Sequence, residues 1–279
     1  MAAIMTRAPV ISISHGGGPL PIMNHPGHTY LVDSLKTKVP QILRLGTSEA
    51  PRAIVVITAH WEERTPTISG AAKHSLYYDY YGFPLETYDL KYDAPGSPEI
   101  AKEVYNVFEK AGLKPAMDND RGWDHGVFIP FMLINPAANI PLIQISVLPA
   151  HAESPSGLYA MGRALSQLRD SNIAIVGSGL ATNHNMRLLQ SGPPSARTKE
   201  QIAAFSKALT DAVLIKDVDE RGKALEAWRG LPNADLAHLP KRAEHLFPLF
   251  VCAGAGGEGE AKKWTDETMG FALVSYYWD

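Results

Sequence analysis

Short runs of apolar, mostly β-branched residues alternate along this chain with longer amphipathic segments, and this alternation constrains the fold more than any other feature. The runs are four to seven residues long and most are bounded by proline, glycine or asparagine, which is typical of buried strands. They predict strands over residues 9–14, 53–58, 141–147, 173–176 and 271–277. Strands separated by helices predict an α/β layered domain with a largely parallel or mixed sheet.

The segments between these strands carry helical patterns. One has signals at both ends, because Ser97 and Pro98 suit a helix start and Gly112 suits its stop. The other amphipathic patterns predict helices over residues 30–45, 157–171, 198–215 and 243–253. Because neither an internal repeat nor a long linker interrupts the chain, we predict a single domain over residues 1–279.

Charge and cysteine content exclude several classes of partner and site. The chain has 26 Lys and Arg against 29 Asp and Glu, so its net charge is −3, which argues against binding to nucleic acid or anionic membranes. The single cysteine, Cys252, excludes intrachain disulfides and cysteine-rich metal sites, and its apolar neighbours predict a core position. A single cysteine also fits a reducing compartment, so we expect a cytoplasmic protein.

Two segments resemble a membrane span and a dinucleotide-binding turn, but their sequences argue against both. Residues 126–152 lack charge, but four prolines interrupt them, so a broken helix or turn followed by a strand is expected instead of a membrane span. Residues 254–259 have the glycine spacing of a dinucleotide-binding turn. They follow a helical pattern, and about 20 residues remain, too few for a complete βαβ unit, so we predict a surface loop there.

Three of the ten histidines follow predicted strands. His15 ends the first strand, His60 follows the second, and His184 lies a short loop beyond the strand at residues 173–176. Ligands of open α/β sheets bind outside the carboxyl ends of the strands, so these imidazoles predict a catalytic site for iron, zinc or copper. His125, between Asp124 and Gly126, is either an acid–base group or an ordinary loop histidine.

The order of short motifs along the chain resembles the class III extradiol ring-cleaving dioxygenases, the LigB-like family, and within it the 4,5-DOPA extradiol dioxygenase branch. The matching strings occupy residues 14–18, 54–61, 82–88, 92–98, 123–126, 141–147, 177–185 and 243–249. The resemblance runs from about residue 10 to residue 276 and implies one catalytic domain with three α/β/α layers around a mixed, largely parallel sheet.

The resemblance also implies roles for individual residues. His15, His60 and His245 match metal ligands, and His184 matches a histidine that is either a further ligand or a base beside the metal. His125 matches a histidine near substrate and oxygen. Other class III enzymes use two histidines and a glutamate, so Glu244 is a rival to its neighbour His245. If both lie on a helix, they point about 100° apart and one alone can face the metal, and we favour His245.

Two positions depart from the branch's pattern. Residues 181–183 resemble an insertion before His184. Arg242-Ala243 stands where the branch usually has a proline-containing segment before the Glu-His pair. We expect these departures to affect substrate fit more than metal binding. The aromatic residues between Tyr77 and Phe83 either wall a pocket for an aromatic substrate or pack in the core or a dimer contact.

The implied activity is that of a non-haem, metal-dependent extradiol dioxygenase. It would open the ring of a catechol, DOPA or a related compound, with O₂ to give a muconic semialdehyde. Iron(II) is expected for activity, although zinc(II) binds imidazole sites more tightly and can occupy them in purified protein. No nucleic acid or membrane partner is expected, and a homo-oligomer is compatible with the sequence. Two alternatives remain: a zinc-dependent hydrolase using the same histidines, or a non-catalytic LigB-like binding protein of the Memo type.

Overall fold

Residues 7–279 are described by a computed structural model, and the first six residues of the expected domain lie outside it. One eight-stranded sheet crosses this part of the chain, in the order β4-β3-β5-β2-β6-β1-β8-β7. The strands are β1 (Val10–Ser14), β2 (Ala53–Glu62), β3 (Thr67–Ser69), β4 (Ala116–Asp118), β5 (Leu142–Val147), β6 (Ile173–Gly179), β7 (Lys262–Thr268) and β8 (Phe271–Trp278).

The centre of the sheet is parallel and its outer parts are mixed. Strands β5, β2, β6 and β1 pair in parallel, whereas β3 is antiparallel to β5 and β8 is antiparallel to both β1 and β7. The central strands are buried along nearly their whole length, which explains their continuous apolar sequences. The expected mixed sheet with a parallel core is confirmed.

Helices cover both faces of the sheet, which confirms the three-layer α/β/α architecture. Along β2, Val55 and Ile57 pack with one hydrophobic cluster, whereas Ile54 and Val56 pack with the other. Residues 29–255 contain ten α-helices: α1 (Thr29–Lys36), α2 (Lys38–Ile42), α3 (Pro98–Lys110), α4 (His125–Ile134), α5 (Pro155–Leu165), α6 (Met186–Gln190), α7 (Ala196–Val213), α8 (Val218–Glu226), α9 (Ala234–Ala237) and α10 (Phe247–Ala255). Helices α3, α5, α7, α8 and α10 contribute to the first cluster, and α1, α2 and α4 to the second. None of the helices between residues 7 and 279 is long and apolar enough to cross a membrane.

Several predicted elements differ in extent from the observed ones. The pattern at residues 30–45 forms two helices that break at Thr37, because the ring of Pro40 would clash with a carbonyl one turn earlier in a continuous helix. The pattern at residues 157–171 forms α5 and then a 3₁₀ segment, Ser166–Ser171. Strands β3, β4 and β7 lack the long apolar runs on which the sequence-based prediction relied.

Helix α10 begins at Phe247, four residues later than predicted, because Pro248 favours the first turn of a helix and disfavours its interior. Glu244 and His245 therefore lie in a turn, and the prediction that they share a helix is wrong. The predicted surface loop at residues 254–259 is also wrong in its first half. Gly254 is a buried part of α10, where a Cβ atom would lie 2.3 Å from the Tyr159 carbonyl oxygen of α5.

Candidate metal centre and active site

Three of the histidines predicted as metal ligands converge at the carboxyl end of the parallel strands. His15 follows β1 directly, His60 lies near the end of β2, and His245 lies in the turn before α10. The Nε2 atom of His60 is 3.2 Å from His15 Nε2 and 3.2 Å from His245 Nε2. One ring nitrogen from each of the three residues lies within 4.8 Å of one ring nitrogen from each of the other two.

The backbone around Gly179 explains how His245 reaches the sheet. The amide of Leu180 donates a hydrogen bond to the His245 carbonyl oxygen at 2.9 Å. A Cβ atom on Gly179 would lie 2.3 Å from that same oxygen, so a larger residue would push the turn away from the strand end. On the other side of the site, Gly16 has a φ of +84°, which lets the chain turn sharply after His15.

Oxygen atoms at the opposite ring nitrogens orient the three imidazoles. The Ser178 hydroxyl donates to the Gly126 carbonyl, so its oxygen is free to accept from His15 Nδ1 at 2.9 Å. That bond places the proton of His15 on Nδ1 and leaves Nε2 as a lone-pair donor. His60 Nδ1 lies 3.4 Å from Asp79 Oδ2, and His245 Nδ1 lies 3.2 Å from Glu244 Oε1, so each ring has an oxygen behind it.

This donor set fits a metal ion. Burial lowers the pKa of His15, His60 and His245 well below the usual 6.5, and neighbouring histidines lower it further, so all three are neutral at neutral pH. Two nitrogens bound about 2.1 Å from one ion and about 90–110° apart are separated by about 3.0–3.4 Å. The observed separations of 3.2 Å match that value. Three neutral imidazoles suit iron, zinc or copper.

His184 lies beside this group of three and not within it. Its ring stacks on that of His245 with centroids 3.3 Å apart, and its Nδ1 is 3.5 Å from Glu244 Oε1. Burial, with His238 and His125 as smaller causes, lowers the pKa of His184 to about 3. Glu244 therefore contacts both histidines at Nδ1, whereas His245 Nε2 lies beside His60 Nε2, and the choice of His245 over Glu244 as the metal ligand stays a prediction. Burial also raises the pKa of the Glu244 carboxyl, with Glu62 a smaller cause.

His125 is the first residue of helix α4, so the alternative that it is an ordinary loop histidine is wrong. Its ring centroid lies 3.9 Å from that of His60 and 5.7 Å from that of His15. Both the backbone amide and Nδ1 of His125 contact Asp79 Oδ1, at 2.9 and 2.7 Å. Asp79 thus contacts both His60, a predicted metal ligand, and His125, a predicted catalytic residue.

Sequence reasoning missed Asp79, although one signal was available. It is an acidic residue inside an aromatic segment, Tyr77 to Tyr81, where a solvated charge would not be expected. The neighbouring Asp124 is fully buried, where it accepts from Thr58 Oγ1 at 2.7 Å and from Arg121 at 3.2 Å. Burial, with Asp79 as a smaller cause, raises the pKa of Asp124 to about 6, and Thr58 and Arg121 oppose this rise.

A cavity of about 390 Å³ opens over the histidines. His15, His60, His125, His184 and His245 all line it, so every predicted site residue reaches one space. Its remaining wall is largely apolar and includes Leu20, Tyr80, Phe83, Leu180, Met186 and Leu273. The aromatic segment contributes Tyr80, Tyr81 and Phe83 to the cavity, whereas Tyr78 packs against Phe128 in the core.

The family model described as the catalytic LigB subunit of aromatic ring-opening dioxygenase matches residues 9–276. The chain belongs to the LigB family. The expected resemblance is therefore confirmed, and dependence on a metal follows for this LigB-family chain from its family and from the histidine cluster. Membership also implies a small-molecule substrate together with O₂.

Curated relatives of this LigB-family chain carry dioxygenase names. It is 49% identical to "Dioxygenase tasH" of Hapsidospora irregularis, over 98% of this chain and 86% of that protein. It is 34% identical to "4,5-DOPA dioxygenase extradiol" of Beta vulgaris, over 95% of this chain and 92% of that protein. A crystal structure of an uncharacterized Escherichia coli K12 protein has the same fold, with a TM-score of 0.66 and 23% identity over 98% of this chain and 100% of that one. The family and these names support an oxygenase.

Proposed function

We propose that this LigB-family protein is an extradiol dioxygenase that opens a catechol ring with O₂ to give a muconic semialdehyde. The observation that carries the proposal is the convergence of three neutral imidazole Nε2 atoms at the base of an apolar cavity, with two further histidines beside them. A cytoplasmic location is proposed with it, on the ground that the single cysteine fits a reducing compartment.

His15, His60 and His245 would hold the metal through Nε2. Iron(II), when bound there, supplies a redox-active centre with open positions at which both catechol oxygens and O₂ can be activated. Zinc(II) also suits the same three nitrogens, so zinc in a purified sample is compatible with the proposal. The oxygens of Ser178 and Glu244 accept from Nδ1 of His15 and His245, and the Asp79 carboxylate lies beside Nδ1 of His60, which holds the three rings in place.

His184 is proposed as the base that takes a proton from a catechol hydroxyl. The ring is neutral before substrate binds, and Glu244 beside its Nδ1 leaves Nε2 as the accepting atom. His125 is proposed to hydrogen-bond substrate or oxygen. Because Asp79 binds its Nδ1 and its backbone amide, the ring is held with Nε2 available for that contact.

The test is anaerobic reconstitution with iron(II), followed by addition of catechols and O₂. Oxygen uptake with a yellow semialdehyde product is the expected result, and His60→Ala should abolish both product and metal binding. His151→Ala, which changes an exposed histidine outside the cavity, is the matched control and should retain both. Hydrolysis of amides or esters by the zinc-loaded protein, with no oxygen uptake on any catechol, would identify a zinc hydrolase instead. A His60→Ala variant that binds no metal yet keeps the cellular role would identify a binding protein.

A further inference from the structure

The cavity over the histidines is poor in charge. Among the described residues that line it, Asp79 is the charged one, and neither lysine nor arginine is present. The Asp79 carboxylate already contacts His125 at 2.7 Å and His60 at 3.4 Å, so it is not free to pair with a substrate cation. The remaining side chains are apolar, aromatic or neutral and polar.

The arginines near the site do not supply the positive charge that the cavity wall lacks. Arg121 is committed to the His60 carbonyl oxygen and to Asp124, both behind the histidines. Arg187 follows Met186 on helix α6, but it is exposed and does not line the cavity. A carboxylate on a bound substrate would therefore lose its water without gaining an ionic partner, which is strongly unfavourable.

The neutral polar groups in the wall offer hydrogen bonds but no positive charge. Asn183 is fully buried, and its Oδ1 accepts from the Asn185 amide at 3.0 Å, which fixes its Nδ2 as a donor. That Nδ2 has no hydrogen-bond partner within the described chain, so it can donate one hydrogen bond to a ligand oxygen, but it carries no positive charge to pair with a carboxylate. The volume of about 390 Å³ is at the lower end of the range for small-molecule sites, about 300–1,000 Å³, and suits a ring with a modest substituent.

We propose that this protein selects catechols whose ring substituent is apolar and uncharged, and that it disfavours DOPA, whose side chain carries a carboxylate and an ammonium group. This inference rests on the proposed ring-cleaving function, and it concerns the chemistry of the substituent alone. Because the unpaired charge must be desolvated, an uncharged catechol should bind at least about tenfold more tightly than a charged analogue of similar size.

Binding and turnover are measured separately so that the two proposals can fail independently. Dissociation constants of 4-propylcatechol, 3,4-dihydroxyphenylpropionate, dopamine and DOPA are measured by calorimetry on the zinc-loaded protein without oxygen. The kcat/KM values for the same four compounds are then measured on the iron-loaded protein. Preference for 4-propylcatechol in both assays is the expected result. Equal or tighter binding of any charged compound overturns the inference, even if ring cleavage is observed.

A positive charge introduced at the cavity rim should shift the binding preference toward the catechol that carries a carboxylate. Met186 lines the cavity and is 43% exposed, so Met186→Lys can be tolerated and should improve binding of the carboxylate relative to 4-propylcatechol. Leu189→Lys, at a second and less exposed lining position, repeats the test. Met117→Lys is the matched control, because Met117 is 39% exposed but lies on β4 outside this cavity.

The variants also separate the two proposals. If neither Met186→Lys nor Leu189→Lys changes the preference, or if Met117→Lys changes it equally, the inference is wrong. If the wild-type protein binds uncharged catechols preferentially but cleaves none, the pocket chemistry is supported and the dioxygenase proposal is refuted.

Discussion

Asp79→Asn tests whether the residue that joins His60 to His125 controls the metal site. The introduced asparagine would keep an oxygen at the Oδ1 position, so both hydrogen bonds from His125 can remain. Its amide nitrogen would replace Oδ2, which lies 3.4 Å from His60 Nδ1 in the native protein. A donor would then face the Nδ1 proton of His60, and the ring is expected to move that proton to Nε2 to avoid the repulsion.

Protonation of Nε2 would remove the lone pair that His60 directs at the other two histidines. Loss of a hydrogen-bonding group behind a metal ligand typically lowers metal affinity about 10–100-fold. The corresponding change in binding free energy is about 1.4–2.8 kcal/mol, since each factor of ten is about 1.4 kcal/mol. We expect a loss in this range, with the fold retained because the exchanged side chains have nearly the same shape.

Metal affinity is measured by competition with a chelator, and circular dichroism checks the fold. Asp89→Asn is the matched control, because it removes an exposed carboxylate farther along the same loop. It should leave the affinity unchanged. If Asp79→Asn binds zinc or iron(II) within about twofold of the wild-type affinity, the assignment of His60 Nε2 as a ligand oriented by Asp79 is wrong.

Two further changes test the stability of the fold. Burial lowers the pKa of His238 to about 4, so between about pH 6.5 and 4 the unfolded chain binds one more proton and the free energy of unfolding falls by up to roughly 3 kcal/mol as the pH is lowered. His238→Gln can still donate to the Ala181 carbonyl oxygen but cannot titrate in this range. In urea unfolding of the metal-free protein, the free energy of unfolding should therefore fall less between about pH 7 and about pH 4.5 in the variant than in the wild-type protein. An equal fall in both proteins would contradict this prediction. Gly162→Ala should destabilise the protein by about 1–3 kcal/mol in thermal unfolding, because its Cβ atom would lie 2.0 Å from the Val251 carbonyl oxygen. Gly230→Ala is the control, because its Cβ atom would have nothing within 4 Å. A loss of stability in Gly162→Ala no greater than that in Gly230→Ala would refute this packing argument.

The sequence identified the strands of the sheet centre because these strands are buried on both faces and so are continuously apolar. The carboxyl ends of those strands then gave the approximate position of His15 and His60. Strand β7 was missed because it pairs on one side with β8 and alternates exposed and buried residues over part of its length. Its charged sequence, from Lys262 to Glu267, resembles that of a loop.

The side-chain relations within the site could not be predicted in the same way. The contact between Asp79 and His125 spans 46 residues and depends on the path of an aromatic segment without regular structure. The relation between Glu244 and His245 depended on whether a helix had already begun, which Pro248 decides. Hydrophobic periodicity reports burial and element type, but it carries no information on which polar side chains meet across loops.

Helix α4 connects the predicted metal ligand to the predicted catalytic residue. It begins with His125, and the carbonyl of its second residue, Gly126, accepts the Ser178 hydroxyl proton that fixes the tautomer of His15. A displacement of this helix would therefore move His125. It would also break the hydrogen bond between Ser178 and Gly126 that keeps the proton of His15 on Nδ1. Gly126 cannot readily become larger, since a Cβ atom there would lie 2.8 Å from Thr58 Oγ1 and 2.9 Å from the His60 ring. The close approach of α4 to β2 and β6 thus couples the position of His125 to the lone pairs available for the metal.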